Sequence, residues 1–534
     1  MGHDKMIPIV VGVTGHRAIR EQDYAAITSA VKAELRKLQK RCPNSQIMML
    51  TSLAEGGDLL CAETANELGI PLVAVLPVEK EVYELDFSEK AKKQLGYHCE
   101  RAESVFVAPD SETVPESGAS RDFRFRQAGI YVATHCHVLL ALWDGSPGTK
   151  AACGTAEAVS FALNGSFSPG SGIAMRSEDN VAVIHVFTPR GERTEKEAGA
   201  VAVLGNQEAV ETILARTDDF NRKATEAETG TKSRLPEAAQ NDQCLARLER
   251  ISAIAGRLSF QYAKQYRKVL GLLAVSSTLL TFAFLLYDVE QILWMILVCG
   301  CMLAAAVFCS RYAVRSKSHE KYIEYRALAE CLRVQTYLRY AGSRVQASGL
   351  LSWTQQEETA WVMAALFALE IGDVPKEKHD ILACWVEGQR EYHKQAGKRS
   401  HRDVAISERI VRIALILSIT LYCAAVVFEL VWGGLVKPTA ASITDAETYR
   451  NILKLSLGTI SAITLFVANY YGKQSLPRVL SDHKKMEKFY TKMTAQLLQK
   501  GQSEELLAVL AREELIENGN WSSYQRDNKP DVNF

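Results

Sequence analysis

The chain has 534 residues, with 62 Lys+Arg against 62 Asp+Glu and a formal net charge of zero. At about 100–200 residues per domain, that is enough chain for three or four units. Neutrality argues against a dedicated nucleic-acid binder, whose footprint is basic. Apolar residues at 47% and charged residues at 23% exclude a disordered or collagen-like chain.

The opening, MGHDKMIPIVVGVTGHR, has an early acid and too short an apolar run to read as a signal peptide. An α/β domain is expected over residues 1–216. Ile7–Val13 is a continuous β-branched run, the mark of a strand buried on both faces, and it ends in Thr14-Gly15-His16-Arg17. A helical pattern covers Gln22 to Arg41. A second strand, Gln46–Thr51, ends in Ser52-Leu53-Ala54-Glu55-Gly56-Gly57-Asp58, and Leu59–Leu68 is helical. Further strands are expected at Pro71–Leu76, Ser104–Val107, His137–Trp143 and Val181–Phe187. The fifth strand leads through Asp144-Gly145 and a Gly-rich turn, Gly148 to Gly154, into a helix from Thr155. Alternating strands and helices predict a doubly wound, Rossmann-like parallel sheet.

In such sheets, ligands bind outside the carboxyl ends of the strands. Three strand-end turns are small and polar: TGHR, SLAEGGD and WDGSPGTKAACGT. Glycine lets the backbone approach a ligand, and a helix N-terminus offers free N–H groups to phosphate. None of the three is a Walker A or GxGxxG motif, so neither ATP hydrolysis nor dinucleotide redox chemistry is expected. Arg17, beside a strand-end glycine, suits bidentate phosphate binding; a surface salt bridge is the alternative. His16, His135 and His137 lack metal-ligand spacing, and no metal is expected. Twelve cysteines include no CxxC pair, which points to a reducing compartment.

With GVTGHR, TSLAEGGDLLCAETA and HVLLALWDGSPGTKAACGTAEAV in order, the first 200 or so residues resemble the SLOG superfamily. That superfamily includes lysine-decarboxylase-like (LOG) phosphoribohydrolases, the DNA-processing protein DprA and the N-terminal domains of melastatin-type channels. The resemblance implies binding of a nucleotide or nucleotide derivative, of ADP-ribose or cyclic-nucleotide type. It implies ligand contacts by Thr14, Gly15, His16 and Arg17, by Ser52, Glu55, Gly56 and Asp58, and by Asp144, Gly145, Gly154, Thr155 and Glu157. LOG enzymes carry PGGxGTxxE and an upstream arginine. Here Gly154-Thr155-Ala156-Glu157 keeps the GT pair, Ala158 stands where the family has its catalytic acid, and Arg126 matches the upstream arginine. The binding half of the motif is better kept than the catalytic half, and no catalytic residue is assigned. Convergence of Glu157 and Arg126 within about 6 Å over one pocket with an open water site would make catalysis credible.

Residues 217–244, polar around Gly230 and Pro236, read as a linker. From Leu245 a helical pattern runs without a breaker into Val269–Tyr287, an uncharged apolar run. Ile292–Ser310 is a second such run, Ile413–Trp432 a third with one acid, Glu429, and Leu455–Tyr471 a fourth. Each approaches the roughly 20 residues that cross about 30 Å of hydrocarbon. Residues 311–412 and 472–534 read as cytoplasmic helical regions, with helices at Lys317–Gly342, Glu357–Leu369, Ile381–Lys394, Met486–Leu498 and Ser503–Ile516. These are expected to pack between protomers or against the α/β domain. Lys264, Arg267, Lys268, Arg311, Arg315 and Lys317 flank the first two runs on one side, while Asp288–Gln291 has no base. The positive-inside rule therefore places both termini in the cytoplasm. Glu429 is expected to snorkel to the outer interface, with a pore or a partner helix as the alternative.

The preferred expectation is a homo-oligomeric effector in the bacterial inner membrane. It would sense a nucleotide-derived signal and permeabilise the membrane, in the manner of anti-phage proteins that the SLOG–membrane-helix arrangement resembles. A membrane-tethered nucleotide or nucleotide-sugar hydrolase or transferase, and a nucleotide-regulated channel, are the alternatives.

Overall fold

The computed structural model describes residues 6–109, 121–146, 154–164, 181–190, 197–227, 235–236, 242–373, 377–435, 440–472 and 476–527. The expected Gly-rich turn (148–153) and much of the expected linker (228–234, 237–241) lie outside these residues.

Seven strands form one sheet: β1 (Ile9–Gly15), β2 (Ile47–Thr51), β3 (Leu72–Leu76), β4 (Ser104–Val107), β5 (Val138–Trp143), β6 (Ala182–Phe187) and β7 (Val201–Leu204). Their order is β4-β3-β2-β1-β5-β6-β7. Every pairing is parallel except β6 with β7. The helices of this region are α1 (Tyr24–Arg41), α2 (Gly57–Glu67), α3 (Lys80–Tyr83), α4 (Glu89–Arg101), α5 (Arg121–His135), α6 (Thr155–Asn164) and α7 (Gln207–Glu226).

Strand side chains alternate between faces, and both faces are covered. Ile9, Val11 and Val13 of β1 pack with Ile27, Val31 and Leu35 of α1 and with Leu95 of α4. Val10, from the other face, joins Leu139 and Ala141 of β5, Val132 of α5 and Val159 of α6. Burial on both sides is why β1 reads as an unbroken apolar run.

The antiparallel edge strand β7 was not anticipated. Its four residues are too few to show a period, and Val201 and Val203 are exposed. Its signal is the pair of bounding glycines, Gly199 and Gly205, both with positive φ. Helix α4 was also missed, although Ser88 caps it by accepting from Ala91 N at 3.3 Å.

The expected linker begins too early, because α7 continues to Glu226. Its polar residues face inward and bond to the α/β core. Asn221 Nδ2 donates to Ile7 O (2.8 Å), and Ile7 N donates to Asn221 Oδ1 (3.2 Å). Asp218 accepts from Asn44 N (2.9 Å) and Ser45 Oγ (2.8 Å).

The remaining helices are α8 (Gln243–Val289), α9 (Met295–Ser316), α10 (Ser318–Tyr340), α11 (Trp353–Glu358), α12 (Ala360–Leu369), α13 (Gly388–Leu435), α14 (Ala440–Gly472), α15 (Leu476–Lys500) and α16 (Glu504–Asp527). A π-helical turn, Leu382–Glu387, precedes α13. The chain divides into two compact units that do not follow sequence order. One holds Met1–Arg257, Arg326–Ile381 and Gln502–Gly519; the other holds Leu258–Tyr325, Leu382–Gly501 and Asn520–Phe534.

The expected regions 311–412 and 472–534 are therefore each split. The reason is burial: every residue of α12 after Ala360 is buried. Trp361 meets Phe220 of α7 (6.0 Å between ring centroids), and Phe367 meets His135 of α5 (5.4 Å). Helix α16 joins the same unit through Gln355 Nε2, which donates to Leu515 O (2.6 Å).

Three helical stretches are long and apolar enough to cross a membrane, among the described residues: Gln243–Val289, Met295–Tyr340 and Leu382–Val431, the first beginning and the second ending in the first unit, and the third within the second. Their most apolar windows have mean hydropathies of 2.3, 1.8 and 2.4, yet are only 11%, 6% and 6% buried. So much apolar surface uncovered by protein calls for a non-aqueous solvent. The segment 455–471 lies within α14 and is not one of these three. Helix α14 begins at Ala440, ahead of the fourth apolar run. Glu429 forms a two-pronged ion pair with Arg450 of that helix (2.5 and 2.6 Å).

Candidate functional site

Strand β1 lies between β2 and β5, so the chain leaves its carboxyl end toward one side of the sheet and later returns on the other. At this divergence a cleft of about 460 Å³ opens. Its walls include Thr14, Gly15, His16 and Arg17 after β1, Ser52 and Asp58 after β2, Arg126 on α5, and Gly154, Thr155 and Glu157 at the start of α6. The three strand-end turns thus meet. The volume is within the range of small-molecule sites, about 300–1,000 Å³.

Backbone proximity brings the first two turns together. A Cβ on Gly15 would stand 2.8 Å from Gly57 Cα, and one on Gly57 would stand 2.8 Å from Gly15 Cα. Gly57 N donates to His16 O (2.9 Å), and His16 N donates to Leu142 O (3.0 Å).

Glu55, Gly56, Asp144 and Gly145 lie outside the cleft wall. Glu55 accepts from Ser88 Oγ (2.6 Å) and Ser88 N (3.3 Å), at the N-terminus of α4. Gly56 has φ +94°, and a Cβ there would stand 2.2 Å from Arg17 O. Gly145, with φ +80°, turns the chain beside His185.

Asp144 acts through His16. Its N–H donates to His16 Nε2 (3.0 Å), and its Oδ1 is 3.3 Å from the same nitrogen. Arg190 Nη2 contacts His16 Nδ1, and Arg190 Nε is 3.5 Å from Asp144 Oδ2. Burial foremost, then Arg190, lowers the His16 pKa, against the pull of Asp144, and favours a neutral ring. Burial acts to raise the Asp144 pKa, but Ser146 N–H (3.0 Å), His16 and Arg190 outweigh it and the net direction is down.

Asp58 is buried in the first turn of α2. Burial pushes its pKa up to about 7, despite hydrogen bonds from Thr51 Oγ1 (3.0 Å) and Ala54 N (3.4 Å). Arg126 Nε is 2.8 Å from Glu157 Oε1, so these two groups converge at the cleft. The Arg17 guanidinium lies 5.7 Å from the centroid of the Phe125 ring.

Sequence reasoning missed Arg190, Phe125, Tyr83 and Pro77, which also line the cleft. Arg190 follows β6 in Thr188-Pro189-Arg190, so the strand-end rule applied to the sixth strand finds it. Phe125 and Tyr83 carry no comparable signal. His135 and His137 serve the fold: His137 Nδ1 accepts from Val10 N (3.1 Å), and His135 stacks on Tyr131 at 3.8 Å.

Fold and site together define an α/β protein with a polar, arginine-bearing cleft at its strand ends, on one chain with apolar helices of membrane length. No family model matches the chain, and no curated protein sequence matches it.

Proposed function

We propose that this chain is a membrane effector of the SLOG type, in which the cleft takes a nucleotide-derived ligand and the apolar helices respond by permeabilising the membrane. The observation that carries the reading is the cleft itself: Arg17, Arg126 and Arg190 and the start of α6 surround a ligand-sized space at the sheet edge. Guanidinium groups and helix N-termini are the standard partners of phosphate. The ligand class is an ADP-ribose-type or cyclic nucleotide. The segment 455–471 completes a set of four spans, with both termini on the cytoplasmic side of a bacterial inner membrane. The working form is a homo-oligomer, the role is anti-phage defence, and no nucleic acid is a partner. A ligand switches such a system almost completely only if it favours the active state by about 5.5 kcal/mol.

Ligand-dependent leakage tests this. The full chain is reconstituted in dye-filled vesicles and offered ADP-ribose variants, cyclic nucleotides and nucleoside phosphates, and both dye release and compound breakdown are followed. Release with an intact compound, lost in Arg17→Ala, supports the effector; breakdown without release refutes it.

A second reading is favoured by one observation, the 2.8 Å approach of Arg126 to Glu157 in the cleft. It makes the chain a membrane-tethered nucleotide or nucleotide-sugar hydrolase with Glu157 as acid or base. Under that reading Glu157→Gln abolishes breakdown by about 100-fold or more and leaves ligand binding in place. Under the effector reading the wild-type protein itself breaks down none of these compounds.

A further inference from the structure

We propose that the middle of α8 and the C-terminal end of α9 form a binding site for anionic phospholipid headgroups; the proposal rests on the membrane reading of these helices. Lys264, Arg267 and Lys268 on α8, Arg311 and Arg315 on α9, and the following Lys317 are all exposed. Among the described residues, no ion pair engages any of the six. Some bases of the α/β region are paired instead: Lys32 with Glu67 (2.6 Å), Arg41 with Glu211 (3.1 Å) and Arg222 with Asp219 (2.7 Å).

The two groups of bases stand at one level. Gln265 Nε2 donates to Tyr312 Oη (2.8 Å), and the Tyr266 and His319 rings lie 4.4 Å apart. Gln265 is flanked by Lys264, Arg267 and Lys268, and Tyr312 by Arg311 and Arg315. Of the two carboxylates on the first turns of α10, Glu320 is half-buried and Glu324 is buried. Lys321 is directed to the Tyr262 ring (5.6 Å).

From Leu258 to Tyr287 the chain has no acid, and Asp288 and Glu290 stand at the opposite end of the apolar stretch. Between Lys268 and Asp288 an α-helix rises about 30 Å, the thickness of a hydrocarbon core. A cationic rim one membrane thickness from an acidic turn, with tyrosines at its level, fits the headgroup layer of an anionic leaflet. Among the described residues its exposed bases form no ion pair, and lipid phosphates would supply the counter-charge.

The test uses the full chain reconstituted in vesicles with spin-labelled phosphatidylglycerol or phosphatidylcholine, reading the fraction of lipid immobilised at the protein surface. Phosphatidylglycerol is expected to be preferred by about three-fold or more at low salt, and the preference should fall as salt rises from about 0.05 to 0.5 M. It should vanish when Lys264, Arg267, Lys268, Arg311, Arg315 and Lys317 are all changed to Gln, and return when they are exchanged Lys for Arg and Arg for Lys. Equal immobilisation of the two lipids by the wild-type protein overturns the proposal. So does selectivity retained by the six-fold Gln variant, or displacement by inorganic phosphate beyond that by chloride at equal ionic strength. Resistance to alkaline carbonate is measured in parallel: a wild-type protein released by carbonate refutes the membrane reading, whereas a retained one without selectivity refutes only the headgroup site.

Discussion

Substituting Gly56 by alanine would place a methyl group where the Arg17 backbone already stands. The built Cβ lies 2.2 Å from Arg17 O and 2.4 Å from His16 O. Neither neighbour is the end of a flexible side chain; both are carbonyls of the turn that follows β1. The backbone at Gly56, φ +94° and ψ −115°, is one that residues with a Cβ rarely adopt. Strain of about 1–3 kcal/mol from the dihedrals and about 1–3 kcal/mol from overpacking sum to roughly 2–6 kcal/mol. At about 2–4 °C per kcal/mol for a domain of this size, the α/β unit should melt roughly 5–20 °C lower. Thermal unfolding of the full chain, followed by hydrogen exchange at β1 and α2, reads this directly. Gly154→Ala is the control, because a Cβ there meets nothing within 4 Å. An unchanged melting temperature in Gly56→Ala would show that the two turns do not abut as described. Equal losses in both variants would show that the effect is not steric.

Two further outcomes follow from the same site and its supports. The folded chain holds a proton on Asp58 up to about pH 7, which an unfolded chain releases near the ordinary 3.8. This contribution to stability is complete below about pH 3.8 and is lost as pH rises through 7. Asp58→Asn keeps the acceptor for Thr51 without the charge, so its stability relative to wild type should rise between pH 4 and 7; a flat difference across that range would refute the burial argument. Asn221→Ala leaves the buried Ile7 N–H and C=O without their partner, at a cost of about 2–4 kcal/mol. Chemical denaturation of the full chain measures it, and a loss under about 0.5 kcal/mol would mean that α7 does not close the start of β1.

Much of the α/β architecture is legible in the chain because its cause is local. Ile9, Val10, Val11 and Val13 are buried on two faces, so the strand is continuous in its apolar residues and its end is marked by Thr14 and Gly15. The apolar helices are legible for a similar reason: an uncharged run such as 269–287 carries its partition between water and hydrocarbon in its own composition. Thr14, Arg17, Ser52, Asp58, Thr155 and Glu157 could be nominated because strand ends on a parallel sheet share one edge.

Which of the nominated residues face the cleft was decided by tertiary structure. Glu55 and Asp58 stand three residues apart, yet one binds Ser88, the N-cap of α4, and the other lines the cleft. Asp144 is set behind His16, and Gly56 is held against Arg17. Tyr83 and Phe125 enter with no sequence signal of their own. The same holds for α12 and α16, which join the α/β unit from far along the chain. Residue pattern reports how each segment divides between water and protein, whereas a cleft is made by contacts between segments tens to hundreds of residues apart. Those contacts are set by sheet order and backbone approach, such as that of Gly15 to Gly57, and no single segment carries them.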